Sequence, residues 1–373
     1  MFNLLTFNEM KKLFGLFCVF AASLVLGGCG DVSRLPDQTP DEKPDESPVA
    51  YGEGVFVLCE GSFNAGNASL WFYDRDTKEV KADVFGVEND AKLGDVGQSL
   101  YLHNNTLFVV VNNSGVVYAL DASTGVAQGV VENLLSPRFI AIAPSGTKGY
   151  ISQMYTNKLV TFNPATMEKM GEVELSGIAD TEQMIVWGDK LFVAAWNNGH
   201  KIAVVDTTTD KQIDLFEVGV QPYSMVIDKN DTIWVVCDGG NAYSSLPEGV
   251  TMEAPSLWKI DAETHAATKV YEFTPGGYFR SRLAIDASGS KLYFIYDAVW
   301  EIDVDSQEFP TKPLITIEGF GQYGLDVDPT NGDIYIADAK DYVSNGAVFR
   351  YNSSGELIDE FEVGIIPSKF AFR

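Results

Sequence analysis

Histidine and cysteine are scarce in this sequence of 373 residues, which has three His and four Cys. Both residue types are common metal ligands, and cysteine forms disulfides. The His residues are scattered and form no cluster with zinc or copper spacing. Only Cys59 and Cys237 fall in the region that we expect to fold, and the predicted fold places them too far apart for a disulfide. We therefore expect both to be buried apolar residues of a protein that depends on its core.

Sequence motifs of common catalytic classes are also missing. The sequence contains no G-x-S-x-G nucleophile elbow, no P-loop and no G-x-G-x-x-G that opens a helix. Glu60, Glu182 and Asp238 are candidates for a general acid, a general base or a ligand of a divalent ion, but no neighbouring motif selects one of them. We expect a binding protein without catalytic residues, metal or cofactor.

Positive charge is in the minority. The chain has 26 Lys and Arg against 52 Asp and Glu, which gives a formal net charge of −26. So acidic a surface repels phosphate backbones, and this argues against nucleic acid as a partner. The charge is typical of a soluble, exposed protein and does not identify the ligand.

Long apolar runs are limited to residues 13–26, which follow Lys11 and Lys12. This run is shorter than the roughly 20 residues that a spanning helix needs, and with its basic flank it indicates a secretory signal peptide. The small residues before Cys29 resemble a lipobox, so we expect residues 1–28 to be removed and Cys29 to be lipidated. The alternative is an ordinary signal peptide with an incidental Cys.

Residues 29–50 alternate acidic residues with four prolines, Pro36, Pro40, Pro44 and Pro48. Such a segment cannot bury enough apolar surface to fold, and we expect an extended tether. Gly30 replaces the aspartate associated with inner-membrane retention of lipoproteins. We therefore expect a protein attached to the outer membrane through its lipid anchor alone, displayed at the cell surface.

A repeat dominates the remaining chain, residues 51–373. Seven apolar runs each end in Asp or Asn before a polar turn, and successive closing residues lie 42 to 55 positions apart. This spacing is close to the roughly 40–50 residues of a four-stranded propeller blade. The closing residues are Asp74, Asp121, Asn163, Asp206, Asp261, Asp303 and Asn352.

Each repeat divides into four strands with the period-2 pattern of half-buried β-structure. In the second repeat we expect strands at residues 98–102, 106–111, 115–120 and 125–131. The chain begins with a second-strand pattern at residues 54–59 and ends with a first-strand pattern at residues 367–372. The sequence therefore predicts an all-β, seven-bladed propeller closed by the C-terminal strand, which completes the N-terminal blade and hides both edges.

In a propeller, the loops between second and third strands share one face with the loops that lead into each innermost strand. This loop face is rich in amides and aromatic residues, with arginines near its centre, and one long insertion at residues 238–255 lies on it. We expect the ligand site there, with the binding residues Asn112, Arg138, Tyr155, Gln183, Trp196, Asn197, Gln221, Tyr223, Tyr278, Arg280, Gln322, Tyr323 and Lys369.

The turns DASTG, DTTTD and DAETH, which begin at Asp121, Asp206 and Asp261, and the strand start PYSMVID at residues 222–228 resemble those of YncE-like, surface-layer-type seven-bladed propellers. The resemblance covers about residues 54–373 and is specific for the architecture, not for the ligand. With the lipobox and tether, the chain resembles Bacteroidetes lipoproteins of this group, which include BtuG-type vitamin B12-binding proteins.

The resemblance implies capture of a corrinoid and its transfer to a TonB-dependent transporter. The corrinoid's peripheral amides suit Asn and Gln, its flat ring suits Tyr and Trp, and its phosphate suits an arginine. Two alternatives stay open. One is a protein-interaction or surface-layer scaffold. The other, less favoured, is a metal-dependent lactonase or lyase with a divalent ion near Glu60 or Glu182.

Overall fold

The structure, a computed structural model, describes residues 50–197, 199–240, 246, 248–275, 277, 279–306, 308–317 and 321–373. The predicted signal peptide, Cys29 and nearly all of the tether lie outside these residues. Within them, seven antiparallel sheets form a seven-bladed β-propeller, as the sequence predicts. None of the helices in the described part of the chain combines the length and apolarity needed to cross a membrane.

Twenty-seven strands make up the seven sheets in the described residues. In chain order they are β1 (Gly54–Cys59), β2 (Ser69–Asp74), β3 (Val80–Lys81), β4 (Gly97–His103), β5 (Thr106–Val111), β6 (Val116–Asp121), β7 (Ala127–Val131), β8 (Pro137–Ile142), β9 (Gly149–Gln153), β10 (Lys158–Phe162), β11 (Lys169–Glu174), β12 (Met184–Trp187), β13 (Lys190–Ala195), β14 (Lys201–Asp206), β15 (Lys211–Glu217), β16 (Pro222–Ile227), β17 (Thr232–Cys237), β18 (Ser256–Asp261), β19 (Ala267–Glu272), β20 (Ala284–Ile285), β21 (Lys291–Ile295), β22 (Val299–Asp303), β23 (Gln322–Val327), β24 (Ile334–Asp338), β25 (Asn345–Tyr351), β26 (Leu357–Ile365) and β27 (Pro367–Phe372).

Blade 1 has the strand order β27-β1-β2-β3, and blades 2 to 5 take β4–β7, β8–β11, β12–β15 and β16–β19 from the innermost strand outward. Blade 7 has the order β23-β24-β25-β26. Blade 6 is a sheet of three strands, β20-β21-β22, whose outer edge is a single bridge between Val299 and Ile315. The four-strand repeat is therefore least regular in blade 6.

The C-terminal strand closes the ring. β27 pairs antiparallel with β1, with Val55 opposite Phe372 and Val57 opposite Phe370. Gly54 and Arg373 exchange backbone hydrogen bonds of 3.0 and 2.9 Å at the end of this ladder. The prediction that the last strand completes the first blade is confirmed, and neither terminal strand is left as an open edge.

Seven apolar clusters fill the spaces between neighbouring blades. All six residues of β1 are buried because alternate side chains point to opposite neighbours. Phe56 and Leu58 pack towards blade 2, whereas Val55, Val57 and Cys59 pack towards blade 7. The second strand of blade 1 is therefore apolar throughout, while an outer strand such as β11 is mostly exposed.

One helix, α1 (Val84–Asn89), interrupts the β-structure between blades 1 and 2. The sequence analysis did not predict it. Asp83 caps it by accepting from the backbone N–H of Gly86, and Val84 and Phe85 are buried in the cluster between the two blades. Burial in this cluster stabilises a six-residue helix that would be marginal by itself in water.

The face opposite the loop face is made of tight hairpins. Asp206 accepts hydrogen bonds from the backbone N–H groups of Thr208 and Thr209 at 2.8 and 3.1 Å. Asp121 and Asp261 make the equivalent bonds in their own turns. These side chains complete turns, as expected for Asp before a polar turn.

The two Cys of the fold are both buried and carry free thiols. Cys59 ends β1 in blade 1 and Cys237 ends β17 in blade 5, and each packs into an apolar cluster. The prediction that they are buried apolar residues is confirmed.

Candidate functional site

The innermost strands begin irregularly, and this brings polar side chains to the mouth of the central channel on the loop face. In five blades the ladder between the innermost strand and its neighbour shifts register near the start of the innermost strand. A β-bulge leaves a residue unpaired and re-aims its side chain. The residues at these shifts are Gln98, Arg138, Phe139, Tyr223, Tyr323 and Ser368.

Glu182 is the centre of a buried ion triad at the mouth. Arg138 donates from Nε to Oε2 of Glu182 at 2.7 Å and from Nη2 to Oε1 at 3.0 Å. Arg282 donates from Nη2 to Oε1 at 2.7 Å. The Glu182 side chain is only 2% exposed and each arginine side chain 11%. Glu182 belongs to blade 4, Arg138 to blade 3 and Arg282 to blade 6. The triad therefore links three blades across the channel.

The triad is charged and has one cation in excess. Burial alone would raise the pKa of Glu182, but the guanidinium groups of Arg138 and Arg282 lower it below its ordinary value of 4.5. Glu182 is therefore ionised, and one carboxylate faces two guanidinium groups. Arg138 also donates to the side-chain oxygen of Gln98, which fixes its orientation.

Aromatic rings hold the arginines in place. The Arg282 guanidinium lies 4.3 Å from the ring centroid of Phe139 and 4.4 Å from that of Tyr223. The Arg138 guanidinium lies 5.8 Å from the Trp196 ring. Such cation–π contacts reach about 2 kcal/mol where the groups are desolvated. The aromatic residues therefore stabilise a cationic centre.

Asp238, at the start of the long loop after β17, lies against this centre. It accepts a hydrogen bond of 3.2 Å from Nε1 of Trp196. Burial raises the pKa of Asp238 to about 7, with the Trp196 bond and the charge of Arg282 opposing the rise. Asp238 therefore gains and loses its proton near neutral pH.

Lys369 and Glu60 occupy the blade 1 side of the mouth. Among the described residues, Lys369 Nζ has one hydrogen-bond acceptor, the carbonyl of Ser368 at 3.1 Å, and no carboxylate within 4.0 Å. Burial lowers the pKa of Lys369 to about 8, although Glu60 opposes the change. Burial also raises the pKa of Glu60, which accepts a 3.4 Å hydrogen bond from the Tyr323 hydroxyl. Lys369 is therefore a cation without an ion-pair partner in the described residues.

Cationic side chains gather at and below the mouth of this acidic protein. Four of them lie near four carboxyl groups there, and burial raises the pKa values of two of these carboxyl groups, Asp238 and Asp326, to about 7. Four of the chain's 26 Lys and Arg therefore meet in one place in a protein of net charge −26. The groups are Arg138, Arg280, Arg282 and Lys369 against Glu60, Glu182, Asp238 and Asp326.

A cavity of about 230 Å³ continues from the mouth into the channel. The innermost strands or strand starts of six blades line it, with Ser99, Gln183, Arg282, Asp326 and Lys369 among its polar residues. This volume is below the roughly 300–1,000 Å³ of pockets that enclose drug-sized ligands. The cavity can therefore take one small group of a larger molecule.

Exposed apolar residues surround the mouth. Thirteen large apolar side chains of the described residues are exposed, and six of them lie in the loops of this face. The remainder lie in α1 and on outer strands. The six are Phe63, Leu135, Tyr155, Met252, Tyr342 and Val343.

Five of the residues predicted for the ligand site belong to the mouth cluster, as described above: Arg138, Trp196, Tyr223, Tyr323 and Lys369. Next to it, Arg280 donates to the side-chain oxygen of Gln322 at 3.2 Å. Gln183 pairs with the backbone of Met225 through two hydrogen bonds of 2.9 and 3.0 Å. The side chain of Gln183 therefore also connects neighbouring blades.

The other predicted residues lie in loops. Asn112 donates to the carbonyl of Pro137 at 3.0 Å, and Gln221 donates to the carbonyl of Asn197 at 3.1 Å. These amides stabilise the loops that shape the face. Tyr155 is 65% exposed on the rim. Tyr278 lies outside the described residues.

From the sequence, Glu182 is only a candidate acid, base or metal ligand. Arg282 and Gln98 are not among the residues predicted for the ligand site. The signal that these residues share is a polar or charged side chain at the start of an innermost strand. With both Glu182 oxygens held by guanidinium groups, a divalent cation at Glu182 would meet two positive charges. No group of three His, Cys, Asp or Glu in the described part of the chain could hold a metal ion.

Solved structures with this architecture are similar to the chain at low sequence identity. A quinonprotein alcohol dehydrogenase-like protein from Bacteroides thetaiotaomicron has a TM-score of 0.65 at 15% identity, with 86% of this chain and 78% of that one covered. A protein from Lactobacillus plantarum has a TM-score of 0.64 at 14% identity, with 86% and 99% covered. The periplasmic gluconolactonase of Pseudomonas aeruginosa has a TM-score of 0.63 at 14% identity, with the same coverage.

These likenesses show the propeller fold alone. No curated protein matches the sequence. The family described as Domain of unknown function (DUF5074) matches residues 53–372, which is nearly all of the described propeller. The chain belongs to the DUF5074 family.

Proposed function

We propose that this protein captures a small molecule on the loop face of the propeller, with the favoured ligand a corrinoid such as cobalamin. The observation that carries the proposal is the gathering of four cationic side chains at the channel mouth of a strongly acidic protein. A local positive potential favours a ligand that carries an anionic group.

The surroundings of the mouth support a large, partly flat ligand. The cavity is too small to enclose one, so most of the ligand would lie across the face. There the exposed Phe63, Tyr155 and Tyr342 offer apolar contact, and side-chain amides offer hydrogen bonds. A corrinoid combines a flat ring, peripheral amides and one phosphate, which corresponds to these three features.

The predicted lipid anchor would hold the protein at the outer membrane, where it would capture the ligand. With Cys29 acylated and the acidic tether extended, the propeller would stand off the outer membrane and present its loop face. The partner that we propose is a TonB-dependent transporter, which would receive the ligand.

Isothermal titration of the purified protein with cyanocobalamin tests the proposal. We expect saturable one-to-one binding that the change Trp196→Ala weakens at least tenfold, because this ring packs against Arg138 and Tyr223 at the mouth. Trp187→Ala is the matched control, since Trp187 ends an innermost strand on the opposite face. A protein that gives no heat at several temperatures would refute corrinoid capture and favour the protein-interaction alternative.

A further inference from the structure

We infer that the channel cavity holds the anionic group of the captured ligand, a phosphate or a carboxylate, with Lys369 and Arg282 as its counter-ions. This inference deepens the proposed function and depends on it for the rest of the ligand. It assigns a specific place in the fold to one part of the ligand. It also assigns a role to Lys369, which has no carboxylate within 4.0 Å of Nζ among the described residues.

Lys369 is one of the two counter-ions that we infer. Its side chain lies on β27 and lines the cavity, and no carboxylate of the described residues lies within 4.0 Å of Nζ. A buried ammonium group that has a carbonyl acceptor but no ion-pair partner carries a desolvation cost that is offset only in part. An anion in the cavity would supply that partner.

Arg282 is the other inferred counter-ion, and its contacts hold it beside the cavity. Its Nη1 donates to the Tyr223 carbonyl and its Nη2 to Glu182, while its Nε is buried without an acceptor in the described residues. The rings of Phe139 and Tyr223 lie 4.3 and 4.4 Å from the guanidinium group. Arg282 is therefore preorganised, with a donor still unused beside the cavity that it lines.

The size of the cavity suits a small anionic group. About 230 Å³ is several times the roughly 30 Å³ that one water occupies in the liquid. The cavity can therefore admit a phosphate or a carboxylate with the atoms next to it, but not a macrocycle the size of a corrin ring. Ser99 and Gln183 also line the cavity, and their polar side chains suit the oxygens of such a group.

The experiment titrates the purified protein with inorganic phosphate and, separately, with malonate, each at constant ionic strength set with chloride. We expect saturable binding of at least one anion, with an affinity that Lys369→Met reduces at least tenfold. Lys158→Met is the matched control, because Lys158 is exposed on blade 3 and pairs with Glu172 at 2.8 Å. The anion that binds more tightly identifies the group.

A parallel titration with cyanocobalamin separates this inference from the proposed function. Anion binding that requires Lys369, together with no response to cyanocobalamin, would support the anion site and refute the corrinoid. Equal binding of cyanocobalamin to the native protein and to Lys369→Met, with no saturable binding of either anion, would overturn the anion site and keep the corrinoid.

Discussion

Replacement of Lys369 by Met should stabilise the protein while it weakens anion binding. The pKa of this lysine falls from 10.5 to about 8 because its charged form is buried. One pKa unit corresponds to about 1.4 kcal/mol, so the folded state holds the ammonium at a cost of about 3 kcal/mol. Met has a similar length and no charge to desolvate, and the free energy of unfolding should rise by up to this amount.

The pH dependence of the gain follows from the direction of the shift. Below pH 8 both the folded and the unfolded chain carry the lysine proton, so the destabilisation is fully present. Between pH 8 and about 10.5 the folded protein releases the proton first, and the cost of the charge disappears. The advantage of Lys369→Met should therefore be largest at neutral pH and should vanish above pH 10.5.

Thermal and denaturant unfolding of the native protein and the variant measure this difference. We expect the melting temperature of Lys369→Met to rise by several degrees at pH 7 and that of the exposed control Lys158→Met to stay unchanged. A fall in the melting temperature of Lys369→Met would show that this lysine stabilises the ring, and the reasoning would be refuted. Residues of binding sites often lower the free energy of unfolding, which is a common trade-off between stability and function.

Three further predictions concern the mouth and the ring. Glu182→Gln should lower the free energy of unfolding by about 3–5 kcal/mol in denaturant titrations, because it leaves two buried guanidinium groups without their carboxylate; a loss below about 1 kcal/mol would contradict the triad's role. Deletion of residues 367–373 should abolish cooperative thermal unfolding, since it removes β27 and exposes an edge; a cooperative transition near the native temperature would contradict closure by this strand. Sulfate, whose charge is constant between pH 6 and pH 8.5, should bind more tightly at pH 6 by isothermal titration, because Lys369 is then charged and Asp238 and Asp326 are protonated; equal affinities would contradict an anion site among these groups.

The blades could be predicted because their signals are local. An apolar run followed by Asp and a polar turn specifies a hairpin within ten residues, as Asp121 and Asp206 do. Ring closure followed from the patterns at the two ends of the chain and from the requirement that edges be paired. Helix α1 was missed because it depends on the burial of Val84 and Phe85 between two blades.

The centre of the candidate site could be predicted only in part. Bonds from Arg138 and Arg282 to Glu182 join residues 44 and 100 positions apart. No local pattern specifies which polar side chains meet across a channel, because this depends on the bulges that re-aim them. The sequence could place Arg138 and Lys369 on the loop face. It could not specify the triad, or that Lys369 has no ion-pair partner among the described residues.

The most direct test of the account is the crystal structure of the protein with bound cyanocobalamin. The account predicts electron density for the ligand across the loop face, with an anionic group in the channel beside Lys369 and Arg282. A ligand bound to the opposite face or between outer strands would contradict capture at the channel mouth.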